Sequence, residues 1–235
     1  MECRPVIVCG SGPCLAERLI AIREVSTEIP VLAVSTAIRV IPKPHIWVCI
    51  DNITHHHGKR AFDSARDPYV QKVVPDHAKF FWEKFPNMDF VTMHGKKELM
   101  RNKERTERQV FDGLGGVIRS FNRSMTFAVQ WAFNHYNCLI FCGMDHDTKP
   151  DVPYVYDEIL LPKICSVQNK NHRKELAQLI AWKPIVLSKG MVWLNWCPPE
   201  SPMATVCHGE FDGYDTLDSV FGVALGAVPG VEQRG

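Results

Sequence analysis

The feature that most constrains the fold is a short apolar run near the N-terminus that ends in a glycine loop. Pro5–Cys9 (PVIVC) is followed by Gly10–Pro13 (GSGP). An apolar run of this length, stopped by glycines and followed by a helical pattern, is typical of a buried parallel strand that enters a helix. Leu15 and Leu19 begin a spacing near 3.6 residues, which predicts an amphipathic helix over roughly Cys14–Thr27.

Further apolar runs alternate with helical patterns along the chain. They predict strands at Pro30–Val34, His45–Ile50, Asp89–Met93, Cys138–Cys142 and Met191–Trp196. Helices are predicted at Pro75–Phe85, Ser124–His135 and Asn171–Ser188. Strands that alternate with helices indicate βαβ units. We therefore expect a Rossmann-like, doubly wound, mostly parallel α/β sheet with helices on both faces, in a single domain over residues 1–235.

Composition excludes several classes of protein. Apolar residues make up 46% of the chain and charged residues 23%, which argues against disorder, collagen and coiled coil. The net charge of +1 predicts neither nucleic-acid nor anionic-membrane binding, and no apolar run is long enough for a membrane span. Nine cysteines, several of them in apolar runs, and the absence of a signal-peptide pattern predict a cytoplasmic protein.

A charged segment in the middle of the chain has almost no apolar face. Lys96–Gln109 is dense in charge, and the Gly113–Gly116 turn follows it. One interpretation is a solvated surface helix. The other is a lid over residues 96–116, hinged at the glycines and closing over a bound ligand.

The glycine loop itself has two interpretations. A strand–loop–helix with Gly10 and Gly12 suits a phosphate-bearing ligand, because backbone N–H groups and the positive helix end face the anion there. Pro13 fits the first helical turn. Leu15 stands where a dinucleotide fingerprint needs glycine, and the loop lacks the Gly-Lys-Ser/Thr of a P-loop. The alternative is a tight turn required for packing.

Polar residues follow several predicted strands. They are Ser35 and Thr36, then Asp51 and Asn52, then Asp145, His146 and Asp147. Ligands of open α/β sheets bind outside the carboxyl ends of the strands, so these side chains are expected to share one rim. Residues of these types also cap helices, which is the alternative interpretation.

Histidines and cysteines offer two other sites. His55, His56 and His57 could meet Asp145, His146 and Asp147 around a divalent metal, although exposed histidine runs on loops are common. Cys14 lies at a predicted helix N-terminus, where the pKa of a thiol is lowered. Cys138 and Cys142 share one face of a buried strand and are expected to be core thiols.

Three blocks of the chain resemble a known family. Gly10–Leu15 (GSGPCL) resembles the Gly-Asn-Gly-Pro-Ser-Leu loop of the bacterial sialyltransferases of glycosyltransferase family 42 and of the related proteins grouped with the archaeal hydroxymethylpterin diphosphokinase. The segment from Asn122 to Asp145 resembles that family's Thr-Ser-Gly, buried helix, strand and Gly-Ile-Asp. Trp193–Pro198 (WLNWCP) with Ser201 resembles its closing strand and Cys-Pro-Asn-Ser turn.

The resemblance implies a nucleotide-sugar-dependent transferase with a CMP-type donor, a small-molecule or glycan acceptor, and no required cofactor. His172 is the nearest candidate for the family's histidine base, and Arg123 could hold a phosphate bidentately. The expected phosphate-binding residues are Gly10, Ser11, Gly12, Pro13, Cys14, Asn122 and Ser124. The expected ribose- or base-binding residues are Ser35, Thr36, Asp51 and Asn52, with Asp145 on the same rim.

Two other functions fit the same scaffold. An ATP-dependent phosphoryl or diphosphoryl transferase would hold Mg²⁺ with Asp51, Asp145 and Asp147 and act on a small heterocycle. A non-catalytic protein would keep the nucleotide loop and lack the base. A homo-oligomer is compatible with each of these functions.

Overall fold

The structure is a computed structural model that describes residues 3–41, 43–53, 57–94, 117–119, 124–146, 151, 154–156, 162–213, 216–217 and 219. Several predictions fall outside these residues. They concern the lid segment 96–116 and His55, His56, Asn122, Arg123 and Asp147.

A sheet of parallel strands runs through the described part of the chain. Its strands are β1 (Pro5–Cys9), β2 (Val31–Val34), β3 (Ile46–Val48), β4 (Gln71–Pro75), β5 (Met88–His94), β6 (Val117–Arg119), β7 (Cys138–Cys142), β8 (Val192–Asn195) and β9 (Gly209–Glu210). Their order in the sheet is β6-β5-β4-β3-β2-β1-β7-β8-β9, and every neighbouring pair is parallel. The prediction of a doubly wound parallel sheet is confirmed.

Helices cover both faces of this sheet. They are α1 (Leu15–Val25), α2 (Gly58–Arg66), α3 (Lys79–Trp82), α4 (Ser124–Phe133), α5 (Pro162–Ser188) and α6 (Met203–Val206), with 3₁₀ turns at Ser35–Arg39 and Asp76–Ala78. Side chains of α4, α5 and α6 pack in one core layer, and those of α1, α2 and α3 pack in the other. In the described residues, no helix combines the length and the apolar character that crossing a bilayer requires.

Successive side chains of a central strand point to opposite faces of the sheet, so each strand contributes residues to both core layers. On β1, Val6 and Val8 face the layer of α4, whereas Ile7 and Cys9 face the layer of α1. Cys138 and Cys142 of β7 are completely buried in the α1 layer, which confirms the prediction of core thiols. Strands that are buried on both faces and apolar throughout, such as β1 and β7, are the ones that the sequence predicts best.

Several boundaries differ from the sequence-based prediction. The predicted fourth strand is β5, and the pattern missed β4, β6 and β9 as well as α2. Helix α5 begins at Pro162 instead of Asn171 and continues through Pro184 to Ser188. Gly190 then adopts a left-handed φ of 71°, and the Met191 N–H donates to Val186 O at 3.1 Å. Gly190 therefore forms a glycine C-cap that ends α5.

The strand order reverses between β1 and β7. From β1 the chain builds outward through β2, β3, β4, β5 and β6, and then returns to place β7 on the other side of β1. At such a switch point the connections leave the two strands in opposite directions, and a crevice opens at their carboxyl ends. The glycine loop follows β1, and Gly143, Met144 and Asp145 follow β7. The fold thus brings these two segments together.

Candidate functional site

The glycine loop is pressed against the end of β7. The Gly10 N–H donates to Cys142 O and the Gly12 N–H donates to Gly143 O, both at 2.8 Å. A Cβ at position 10 would collide with the carbonyl oxygen of Gly143, and a Cβ at position 12 would lie 2.8 Å from the same oxygen. Gly143 has a φ of 65° and leaves equally little room. Glycine is therefore required here for close approach of two backbones.

This packing occupies most of the backbone N–H groups of the loop. Gly10 and Gly12 donate their N–H groups across the switch point, and Pro13 has no N–H. The Ser11 N–H makes no hydrogen bond to the part of the chain that the structure describes. A phosphate at this loop would therefore meet the N–H and hydroxyl of Ser11, and the predicted binding role of the loop stays a prediction.

Asp145 lies at the start of α1. Its Oδ2 accepts a hydrogen bond from the Cys14 N–H at 3.1 Å. A carboxylate at this position is favourable because the first N–H groups of a helix carry a partial positive charge. The Asp145 carboxylate thus lies at the N-terminus of α1, where the sequence predicts a ligand's phosphate.

The pKa of the Cys14 thiol is raised, whereas the sequence predicts that it is lowered. A hydrogen bond with the Cys197 thiol, burial, and the neighbouring Asp145 carboxylate together raise the pKa of Cys14 well above its ordinary value. The prediction of a lowered pKa at this helix N-terminus is wrong. The helix end cannot lower the pKa enough, because desolvation and a nearby negative charge both oppose the thiolate.

The ends of β1 and β2 are joined through two hydroxyl groups. The Thr36 hydroxyl lies 3.1 Å from Ser11 Oγ in a hydrogen bond. Ser35 has a positive φ of 50°, and its carbonyl oxygen accepts the indole N–H of Trp47 at 3.0 Å. The predicted sharing of one rim therefore holds for Ser11, Thr36 and Asp145.

The remaining predicted residues lie further from the switch point. Asp51 and Asn52 are exposed after β3, and the Asp51 carbonyl oxygen accepts the indole N–H of Trp82 at 3.3 Å. Ser124 begins α4, which packs on β2 and β3. His57 is buried, with its Nε2 3.4 Å from Cys49 Sγ, so it lies in the core and not on the exposed rim.

A buried polar cluster lies directly after Asp145. His146 Nδ1 is 3.0 Å from Met144 O, and His146 Nε2 is 3.7 Å from Glu175 Oε2 on α5. The ring of His172, one turn before Glu175 on α5, meets the His146 ring edge to face at a centroid distance of 5.6 Å. The predicted base His172 is thus brought beside the switch point.

The sequence analysis missed Glu175, and it placed His146 on the ligand rim and in a possible metal site but gave it no role in catalysis. A signal for Glu175 was present, because residues three apart on a helix share a face and Glu175 is three residues after His172. Within the described residues, no group of three or more His, Cys, Asp or Glu side chains is arranged to hold a metal ion.

A short segment covers Ser11. The Val155 N–H donates to Ser11 O at 2.9 Å, and the flanking rings of Tyr154 and Tyr156 stack at 4.9 Å. The guanidinium of Arg39 lies 3.8 Å from the centroid of Tyr156, as in a cation–π contact. An aromatic pair and a cation therefore lie beside the loop. Nothing in the sequence pattern indicated them.

The turn after β8 packs against the segment that follows β7. Asn195 is fully buried; its Oδ1 accepts the Cys197 N–H at 3.1 Å and its Nδ2 donates to Glu210 Oε2 at 2.8 Å. These bonds fix the turn in which the Ser201 hydroxyl reaches Met144 O at 3.5 Å. The two segments that the resemblance singled out, after β7 and after β8, are therefore in contact.

Comparison with known proteins gives a likeness of fold. No family model and no curated protein sequence matches this chain. Among solved structures, the chain is similar to the MAf glycosyltransferase from Magnetospirillum magneticum AMB-1, with a TM-score of 0.50 and 13% sequence identity. The match covers 82% of this chain and 31% of that chain. The protein thus has a Rossmann-like α/β fold similar to part of a glycosyltransferase.

Proposed function

We propose that this chain is a glycosyltransferase that binds a nucleotide-sugar donor at the crevice between β1 and β7. The observation that carries the proposal is the set of polar groups gathered at this switch point, Ser11, Thr36, Asp145 and His146. Open α/β sheets bind their ligands at such points. The fold likeness to a glycosyltransferase agrees with this choice of reaction.

Ser11 receives the donor's phosphate in this proposal. Its N–H has no hydrogen-bond partner in the described residues, and its hydroxyl is held by Thr36, so both groups would donate to the phosphate. Arg39, stacked on Tyr156, supplies positive charge on the same side. Asn122, Arg123 and Ser124 keep their expected role as a second phosphate-binding segment. Ser35, Asp51 and Asn52 are assigned to the ribose or base.

The reaction needs no resident metal or other cofactor. An acceptor hydroxyl attacks the anomeric carbon of the donor sugar, the bond from that carbon to the phosphate oxygen breaks, and the hydroxyl proton goes to a protein base. Positive charge at the phosphate stabilises the leaving group. A CMP-type donor with a sialyl group follows from the resemblance to the family 42 enzymes.

Thermal denaturation with added nucleotides tests the proposal. CMP, CDP, UDP, ADP and ATP are added with and without Mg²⁺. A ligand at one hundred times its Kd stabilises by about 2.7 kcal/mol, which raises Tm by about 5–10 °C for a chain of this length. Ser11→Ala should reduce this shift. Ser26→Ala, at the opposite end of α1, is the matched control and should leave it unchanged.

Each outcome separates the candidate functions. Stabilisation by a cytidine nucleotide without metal would support the nucleotide site. Release of nucleotide from a nucleotide-sugar would support the transferase activity. Binding that requires Mg²⁺ and disappears in Asp145→Asn would support the phosphoryl transferase instead. Tight binding without turnover of any donor would support a non-catalytic protein. No stabilisation at millimolar concentration would refute a nucleotide site.

A further inference from the structure

The histidine that follows Asp145 is held in a single orientation. His146 has a φ of 53°, a conformation that a non-glycine residue adopts at some cost. Its Nδ1 lies 3.0 Å from Met144 O. A carbonyl oxygen can only accept, so Nδ1 carries a proton and donates it. Ser201 donates to the same carbonyl oxygen, which ties this anchor to the turn after β8.

The other ring nitrogen then faces a carboxylate. His146 Nε2 lies 3.7 Å from Glu175 Oε2, and the two side chains are only 4% and 9% exposed. A bare Nε2 and an ionised carboxylate would oppose two lone pairs inside the protein, where unpaired polar groups are costly. When Glu175 is ionised, as a base must be, the ring therefore carries a second proton on Nε2 and the two side chains form an ion pair.

Glu175 also has an oxygen without a partner. Oε1 is buried and accepts no hydrogen bond within the described residues. Leaving such an acceptor unpaired costs about 1–3 kcal/mol. A hydroxyl group of a bound acceptor would satisfy it. The neighbouring His172 contacts the other partner of the pair, with its ring edge to face against His146.

We propose that Glu175 is the base of the transfer and that His146 is its positioning residue. This inference rests on the proposed function. The acceptor hydroxyl donates to Glu175 Oε1, and its proton passes to that carboxylate as the oxygen bonds to the anomeric carbon. The electron pair of the broken bond leaves with the donor's phosphate. His146, protonated on both nitrogens, holds the carboxylate in place, and His172 packs against His146.

Hydrolysis of a nucleotide-sugar tests the assignment. The probes are CMP-N-acetylneuraminic acid, UDP-glucose and GDP-mannose, with water as acceptor. Glu175→Gln should lower kcat by about 10²–10⁴-fold, the usual contribution of a general base, with the donor's KM changed by less than about threefold. Added formate should restore part of the activity of Glu175→Ala, because it replaces the missing carboxylate. Glu24→Gln, on the surface of α1, is the control.

Comparison of the two histidines shows which group accepts the proton. His146→Asn should lower kcat strongly, and His172→Asn should lower it by less than about tenfold. A loss of turnover in His172→Asn, with Glu175→Gln unaffected, would overturn the assignment while leaving the glycosyltransferase intact. Absence of both nucleotide binding and hydrolysis would overturn the proposed function, and the base role with it.

The protonation of His146 beside Glu175 can also be measured without enzymatic turnover. Long-range ¹H–¹⁵N correlation spectra of His146 report which ring nitrogens carry protons. We expect Nδ1 protonated, with an Nε2 signal that changes in Glu175→Gln. A neutral ring protonated at Nε2 alone would contradict the geometry on which the inference stands. Full thermal stability of Glu175→Gln would show that its lost activity is not a folding defect.

Discussion

Replacement of Gly10 by alanine should destabilise the protein, although it adds one methyl group. The new Cβ would collide with the carbonyl oxygen of Gly143, lie 3.2 Å from its carbonyl carbon, and lie 3.2 Å from Met144 Cγ. The side chain of Met144 can move, whereas the Gly143 oxygen is fixed by the Gly12 N–H at 2.8 Å. Relief of the collision therefore requires the ends of β1 and β7 to separate.

The size of the effect follows from these contacts. Overpacking that shifts a backbone costs about 1–3 kcal/mol. Separation of the strands also weakens the hydrogen bonds from Gly10 N–H and Gly12 N–H, each contributing about 1 kcal/mol. We expect a total loss of about 2–5 kcal/mol, a large share of the roughly 5–15 kcal/mol that stabilises most proteins.

Urea denaturation followed by circular dichroism measures this loss. With an m-value of about 2–3 kcal/mol/M, the midpoint should fall by about 0.7–2.5 M. Gly209→Ala is the matched control, because a Cβ at Gly209 would meet Leu194 Cδ2 at an ordinary 3.8 Å. Its free energy of unfolding should stay within about 0.5 kcal/mol of the wild type. Equal midpoints for Gly10→Ala and Gly209→Ala would refute the close-approach argument.

Two basic side chains, the buried Lys72 and the half-buried His208, predict the pH dependence of stability. Burial lowers the pKa of Lys72 to about 8, with Asp67 opposing the shift, whereas the unfolded lysine keeps its proton to about pH 10.5. The free energy of unfolding should therefore rise between pH 8 and 10, and urea titrations of Lys72→Met should lack that rise; an unchanged rise would contradict the assignment. Burial also lowers the pKa of His208, whose Nδ1 accepts the Trp193 N–H at 3.0 Å. Because the unfolded histidine is protonated first as the pH falls, stability should drop from pH 7 to 5, and His208→Gln should lose less in thermal scans over that range; an equal loss in both proteins would argue against it.

The fold could be predicted where burial leaves one choice of residue type. Strands β1 and β7 are buried on both faces and read as continuous apolar runs, so each was found at its observed position. Strand β4 was missed because Lys72 interrupts its pattern. That side chain is nevertheless fully buried, and its Nζ donates to Asp67 O at 2.7 Å. The acceptor is only five residues earlier in the chain, but the alternation of apolar and polar residues does not show that a lysine is paired in this way.

The candidate site was predictable in its location but not in its contacts. The rule that ligands bind at strand ends correctly grouped Ser11, Thr36 and Asp145. The same rule does not say that Asp145 accepts from Cys14, or that the pKa of the Cys14 thiol is raised. These facts depend on the register between β1 and β7, which places two segments more than a hundred residues apart side by side.

The two interpretations of the glycine loop turn out to apply to different residues of it. Gly10 and Gly12 meet the packing requirement, since a Cβ at either position would strike Gly143. Ser11 Oγ accepts a hydrogen bond from the Thr36 hydroxyl, and the Ser11 N–H makes no hydrogen bond to the described residues. The loop can therefore be separated by mutation into a part that governs folding and a part proposed to govern binding. A glycine substitution should alter the unfolding midpoint in the absence of ligand, whereas Ser11→Ala should alter only the ligand-induced shift.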